Sequence, residues 1–278
     1  MKKKRVMALL LAVLLAAGIA IPAAAADNQV IHIVTAEDLR TFARNCQLDS
    51  YSVGLSVLLD EDIDMGGEAI QPIPSFSGAF NGNGHSITNF TLATDGSHQG
   101  FFRYIEEGAR VINLKLSGTI TPDGTRENVG GIAGKVLAAA DALTEKSVKN
   151  VSFHGSINVT GSTDQSVGGL FGISERAVEN AIVLGSITVS NANAKVGSVV
   201  GPSEQGMSNV VSLMQIDANC NVGAFSQTNT NVTNSYHLQN AVWRRNGSSI
   251  TFVNHANAKT YDELMSGSVS GLSLIHIS

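Results

Sequence analysis

A strand-and-turn unit recurs along this chain at intervals regular enough to dictate its architecture. Its first half reads VGGIAG at 129–134, VGGLFG at 167–172 and VGSVVG at 196–201, then fades to VGAFSQ at 222–227. Its second half reads VINLKLSGTI at 111–120, VKNVSFHGSI at 148–157, VENAIVLGSI at 178–187 and MSNVVSLMQI at 207–216. A degenerate copy begins at Val232. A unit this short cannot bury an apolar face alone, so fixed-period self-similarity predicts stacked coils sharing one continuous core.

Within each second half the apolar residues alternate. Val151, Phe153, Ile157 and Val159 follow Val148, and Ala181, Val183, Ile187 and Val189 follow Val178 in the same places. That period belongs to a strand with one face buried, whereas a helix would space its apolar residues by three and four. An asparagine recurs two places into each copy, as Asn113, Asn150, Asn180, Asn209 and Asn234. Asparagine tolerates the left-handed backbone of a sharp corner, and stacked amides can bond from coil to coil, so these five predict a structural ladder. The recurrent glycines fit bends and close backbone approach. The expected fold is an all-β parallel β-helix with an N-terminal capping helix. The long interval between Val129 and Val167 contains an insertion, Lys135 to Ser147, whose LAAADALTEK stretch predicts a small loop or helical turn leaving the wall.

The ends differ from the middle. Residues 35–45, TAEDLRTFARN, predict a helix with Thr35 as N-cap, Asp38 closing a capping box, and Leu39, Phe42 and Ala43 on one face. Such a helix would cover the first coil's open core. TYDELM at 260–265 predicts a second short helix. Residues 1–26 read as a signal peptide: Lys2, Lys3, Lys4 and Arg5 precede the apolar run Val6 to Ile21, and Pro22 precedes an Ala24-x-Ala26 cleavage site. The expected divisions are then 1–26 signal peptide, 27–57 cap, 58–257 β-helix repeats, 258–271 short helix or linker, and 272–278 an artefact. That last stretch, LSLIHIS, reads as the translation of a transposase library adapter.

Removing the four basic groups of the leader from the chain's 18 leaves 14 against 23 acidic residues, a net charge of −9. An acidic exported chain without basic runs gives no electrostatic footprint for nucleic acid, and no membrane span is expected after cleavage. Cys46 and Cys220 lie several coils apart, at ~4.8 Å per coil, beyond the ~7 Å reach of a disulfide. No bridge is expected between them.

No catalytic, cofactor or metal residue is assigned. The run Asp60, Glu61, Asp62, Asp64 fails as a calcium loop, because Met65 and Gln71 stand where glycine and a bidentate glutamate are needed. Its acids are expected to face water on a strand whose Leu59 and Ile63 point inward. Gly82 to His85, GNGH, is explained as a turn between two strands, without a catalytic His85. The remaining histidines show no metal spacing. Glycoside cleavage needs two opposed carboxylates, and Asp164, Glu175, Glu179, Glu204 and Asp217 appear at unmatched repeat offsets. With 5% aromatic residues and Trp243 as the single tryptophan, a sugar-stacking platform is poorly supplied.

The VGGLFG…VENAIVLGSI unit resembles the GLUG motif of bacterial secreted and surface proteins. The lead-in VTAEDLRTFARN, LLDEDIDMGG, QPIPSFSGAFNGNGHSITNFTL and QGFFRYIEEGARVINLKLSG is similar to theirs, over roughly residues 31–235. Ser198 and Ala224 depart from it at the second glycine, and Met207 at the valine. The resemblance implies a right-handed parallel β-helix. With no catalytic pattern in the chain, the expected function is a non-enzymatic, secreted or cell-surface scaffold, adhesin-like or a spacer, contacting an extracellular protein or glycan as a monomer without cofactor. Its alternatives are a polysaccharide-degrading β-helix enzyme and an accessory region of a larger surface peptidase.

Overall fold

The structure is a computed structural model, and it describes residues 30–122, 128–161, 165–228, 230–239, 243–245, 248–249 and 257–265. The expected signal peptide, its cleavage site, Asp164 and the 272–278 stretch lie outside the described residues.

The chain winds into an all-β parallel solenoid of about seven turns. Each central coil gives one long strand to a 14-stranded sheet, then one short strand to each of two four-stranded sheets. The coil that opens with Val148–Val159 continues through Ser166–Gly168 and Phe171–Ser174 before the next long strand, Val178–Val189. Register follows the repeat residue by residue: Val148 pairs with Val178, Phe153 with Val183, Ile157 with Ile187, and Val178 in turn with Met207. Stacked strands bond only to neighbouring coils, so each copy needs the next to satisfy its backbone.

The asparagines form the ladder that their spacing predicts. Asn113, Asn150, Asn180, Asn209 and Asn234 all have φ between 45° and 55°. The Nδ2 of Asn113 donates to Oδ1 of Asn81 at 3.0 Å, and Asn150, Asn180, Asn209 and Asn234 each donate to the rung before, at 2.9, 3.1, 2.9 and 2.5 Å. All the amides point the same way along the axis, an arrangement in which each bond polarises the next.

At the N-terminal end, α1 (Ala36–Asn45) carries the capping box between Thr35 and Asp38, and it buries Leu39, Phe42 and Ala43. The Phe42 ring lies 6.2 Å from Phe76 and 6.4 Å from Phe80, which joins the cap to a cluster with Phe90, Phe101 and Phe102. The sheet starts before residue 58, however. Val30–Ile33 already pairs with Ser56–Leu59, so α1 replaces part of the first coil instead of preceding the solenoid. At the far end Asn257–Lys259 still pairs with Tyr236–Leu238, past the expected limit of 257, and α2 (Tyr261–Met265) follows with Thr260 and Glu263 forming a capping box.

One local expectation changes and two take a more definite form. Of the 135–147 insertion, Lys135 and Val136 still belong to a wall strand, and 137–147 form a turn-containing loop without a helix. The loop is pinned, with Ala140 N–H donating to Glu107 O at 2.9 Å, Ala138 N–H to Glu175 at 3.0 Å, and Ser147 to Glu179 at 2.7 Å. The acidic run spans a corner between two strands, Ser56–Leu59 and Ile63–Asp64, because each coil must turn there. Leu59 and Ile63 are buried as expected. The Asn83-Gly84 turn is also a corner of one coil, since its flanking strands pair with other coils and not with each other.

Candidate functional site

An open groove of about 780 Å³ lies on the outside of the long sheet. Gly118, Gly155 and Gly185, paired in register, form its floor. These positions cannot carry side chains: a Cβ on Gly155 would lie 1.8 Å from Gly118 O, and one on Gly185 would lie 1.9 Å from Gly155 O. A column of hydroxyls, Thr91, Thr119, Ser156 and Ser186, runs beside the floor, and Ser117 and His154 stand on its other side. Gly66, Gly67 and Asn89 close the N-terminal end. The groove crosses five coils, which at ~4.8 Å per step gives a length of ~19 Å.

The lining contains neither a carboxylate nor a lysine or arginine. Ser156 Oγ donates to Thr119 Oγ1 at 3.3 Å and Thr91 Oγ1 to Gly67 O at 3.2 Å, so the hydroxyls keep lone pairs and, through rotation, donors for a ligand. Such a surface offers neutral hydrogen bonding along an extended line. It lacks the opposed acid and base of a glycosidase.

The residues weighed from sequence have other employment. Asp62 Oδ1 accepts from the Ser86 amide at 2.7 Å and from its hydroxyl at 2.9 Å, which holds the Asp62 carboxyl below the usual aspartate range. His85 lies 3.7 Å from Asp62 on an exposed corner, outside the groove. Asp64 accepts from the Gly66 amide and from Asn89 Nδ2 at 2.8 and 2.9 Å, and these bonds also lower its pKa. Among the described residues no group of three or more His, Cys, Asp or Glu side chains could hold a metal ion. Cys46 and Cys220 are both buried and form no disulfide with each other, and burial pushes the Cys46 thiol up to about 12. No helix of the described residues is long and apolar enough to cross a membrane.

The carboxylates need one correction. Ser174 and Ser203 are bridged and Glu204 N–H donates to Ser174 O, so Glu175 and Glu204 occupy matched places in adjacent coils. Glu175 is held by Lys135 at 3.3 Å and by the Ala138 amide, while Glu204 is exposed. Glu179 accepts from Ser147, and Asp217 sits on the wall paired with Thr188.

Sequence reasoning missed Arg176, a residue only 3% exposed. Its Nε donates to Leu137 O at 2.7 Å, Nη1 to Ala109 O at 2.7 Å, and Nη2 to Glu106 O at 2.6 Å and Glu107 O at 3.0 Å. Burial lowers its pKa and the nearby Glu107 charge opposes that shift. The reason for the clamp lies in the insertion. Residues 175–177 alone connect Ser174 to Val178, but 137–147 connect the matching Val136 to Val148. Where that coil swings outward, Glu106 O and Glu107 O keep backbone donors in Ala109 and Ala140, and the guanidinium from the coil above adds bonds to them and reaches Ala109 O and Leu137 O. The available signal was a lone arginine at a corner one copy after an insertion.

No family model and no curated protein matches the chain. Among solved structures, the crystal structure of a Bacteroides ovatus protein, proposed to be an immunoglobulin A1 protease, has the same fold with a TM-score of 0.60 and 17% identity. The match covers 84% of this chain and 82% of that one. At this identity the likeness is one of fold, and fold alone does not carry function.

Proposed function

We propose that this chain is a secreted or cell-surface β-helix of the GLUG type that acts as a non-catalytic binding module, with the outer groove as its ligand site. The observation that carries the reading is the groove's lining: a glycine floor flanked by hydroxyls over five coils, with no ionisable group except His154. Such a strip favours an extended neutral chain bearing many hydroxyls, and a glycan is the extracellular polymer that fits. The leader-like first 26 residues support export. Titration calorimetry of residues 27–278 against laminarin, mannan and xylan, with polygalacturonate and heparin as charged controls, tests it. Neutral chains are expected to bind, and Ser156→Tyr is expected to abolish binding by filling the groove. Release of new reducing ends during incubation would replace this reading with an enzymatic one.

A second reading, the accessory region of a larger surface peptidase, draws support from the shared fold with the Bacteroides ovatus protein. It is compatible with a glycan groove, since a binding module can hold a catalytic domain near its target. Sequencing the full gene tests it, and the expected result is a peptidase domain in the same reading frame.

A further inference from the structure

The outer wall changes character along the register columns that border the groove. One column runs Ser117, His154, Leu184, Leu213, and its neighbour runs Lys115, Ser152, Ile182, Val211, Tyr236. Both are polar beside the groove and apolar beyond it. Val211, Leu213 and Tyr236 are buried although they face outward, and they form a cluster with Leu264 of α2, against which Ile182 and Leu184 also pack. Leu184 directly precedes Gly185 and Ser186, the last groove residues, so α2 sits where the groove would otherwise continue.

We propose that α2 is a displaceable strap over an apolar continuation of the groove, and that a neutral polysaccharide long enough to run past Ser186 takes its place. This rests on the groove being a glycan site. The exposed wall would offer Tyr236 and the aliphatic side chains to the apolar faces of sugar rings, which the hydroxyl-lined part cannot do. The strap is built to detach. A five-residue helix is far below the length that persists alone in water. Among its described side chains Leu264 alone is buried, and Tyr261 is 54% exposed. Its capping box, Thr260 with Glu263, keeps the helix start satisfied in either position.

Three forms of residues 27–278 test this: the wild type, Leu264→Asp, and Leu213→Cys/Leu264→Cys in oxidised and reduced states. Removing the buried leucine should shift the docking equilibrium by roughly 10- to 100-fold. Leu264→Asp should therefore enhance the fluorescence of 1-anilinonaphthalene-8-sulfonate and bind laminarin up to that factor more tightly, while amides of Val148–Val189 keep their exchange protection. The oxidised pair should lose both gains and its reduced form regain them. Unchanged dye emission in both Leu264→Asp and the reduced pair overturns the strap, as does loss of protection throughout the solenoid on opening. If laminarin binds none of the forms while the dye response follows the strap, the glycan reading fails and the strap stands. Should Leu264→Asp not fold, the oxidised and reduced pair is sufficient by itself: a dye response that follows reduction supports the strap, and an unchanged one overturns it.

Discussion

Replacing Arg176 by methionine should destabilise the solenoid locally at the insertion, and the size of the effect can be worked from its contacts. The side chain donates to four carbonyls, at 2.6 to 3.0 Å, drawn from two coils below its own. A hydrogen bond to a charged donor contributes about 1.5–3 kcal/mol, and stranding a buried acceptor costs about 1–3 kcal/mol. Against this, methionine removes the several kcal/mol spent on burying a charge. The groups left behind are neutral carbonyls, and Glu106 O and Glu107 O keep the Ala109 and Ala140 amides as donors, so the penalty should fall below the roughly 3–5 kcal/mol of a broken buried ion pair, at about 2–4 kcal/mol. Arg176→Lys should recover little, because one ammonium cannot fork to carbonyls on two coils. Urea denaturation followed by circular dichroism is the assay, with a lower midpoint at an unchanged slope as the expected result. The clamp should also be coupled to the insertion. If it exists because residues 138–146 leave the wall, excising them should let the backbone close and should shrink the cost of Arg176→Met. A cost within about 0.5 kcal/mol of zero in the full chain, or an equal cost with and without the loop, would refute the reasoning.

Asn180→Ala should cost more than Asn180→Gly, because alanine loses both ladder bonds and is also strained at φ 52°, by about 1 kcal/mol or more, while glycine is not; equal urea midpoints would contradict this. Gly155→Ala should cost more than about 3 kcal/mol or abolish folding, since its Cβ would meet the Gly118 carbonyl at 1.8 Å, and the yield of folded protein with thermal melting measures it. Acid should destabilise the fold below about pH 4: Asp38, bonded first by the Thr35 hydroxyl, and Asp62, bonded first by the Ser86 amide, have depressed pKa values when folded. Their contribution is complete above the unfolded pKa and is lost as pH falls through the folded one, so Asp38→Asn should flatten a pH series of melting temperatures. Cys46, with its pKa raised to about 12, should resist iodoacetamide until the chain unfolds, and intact mass should show no loss of two hydrogens.

What the sequence made legible is the part of the fold that each coil repeats. Asparagine at one offset and alternating valines say the same thing in several copies, and stacking turns that agreement directly into register. Even the departures become readable once register is known. Gly131 is required because a Cβ there would meet the Phe153 ring at 2.3 Å. In later coils the residue aligned with Phe153 shrinks to Val183 and then Ser212, and Ser198 and Ala224 replace the glycine. Ser198 then uses its hydroxyl to bond Ala224 O. The fading of the motif is therefore correlated repacking across coils, which a single copy read by itself cannot reveal.

The groove, the clamp and the strap were illegible for a common physical reason. Each arises between coils, from residues whose separations in sequence depend on loop lengths. Arg176 reaches Glu106, 70 positions away, only because one intervening coil detours. Leu264 meets Leu213 only because the chain folds back outside the solenoid after its last strand. The groove hydroxyls do recur at one offset, as Thr119, Ser156 and Ser186, but the same pattern describes any solvated strand face. It becomes a candidate site through the bare glycine floor beside it. In a solenoid, repetition builds the wall, and the specific chemistry gathers where the repetition is interrupted or the side chain is missing.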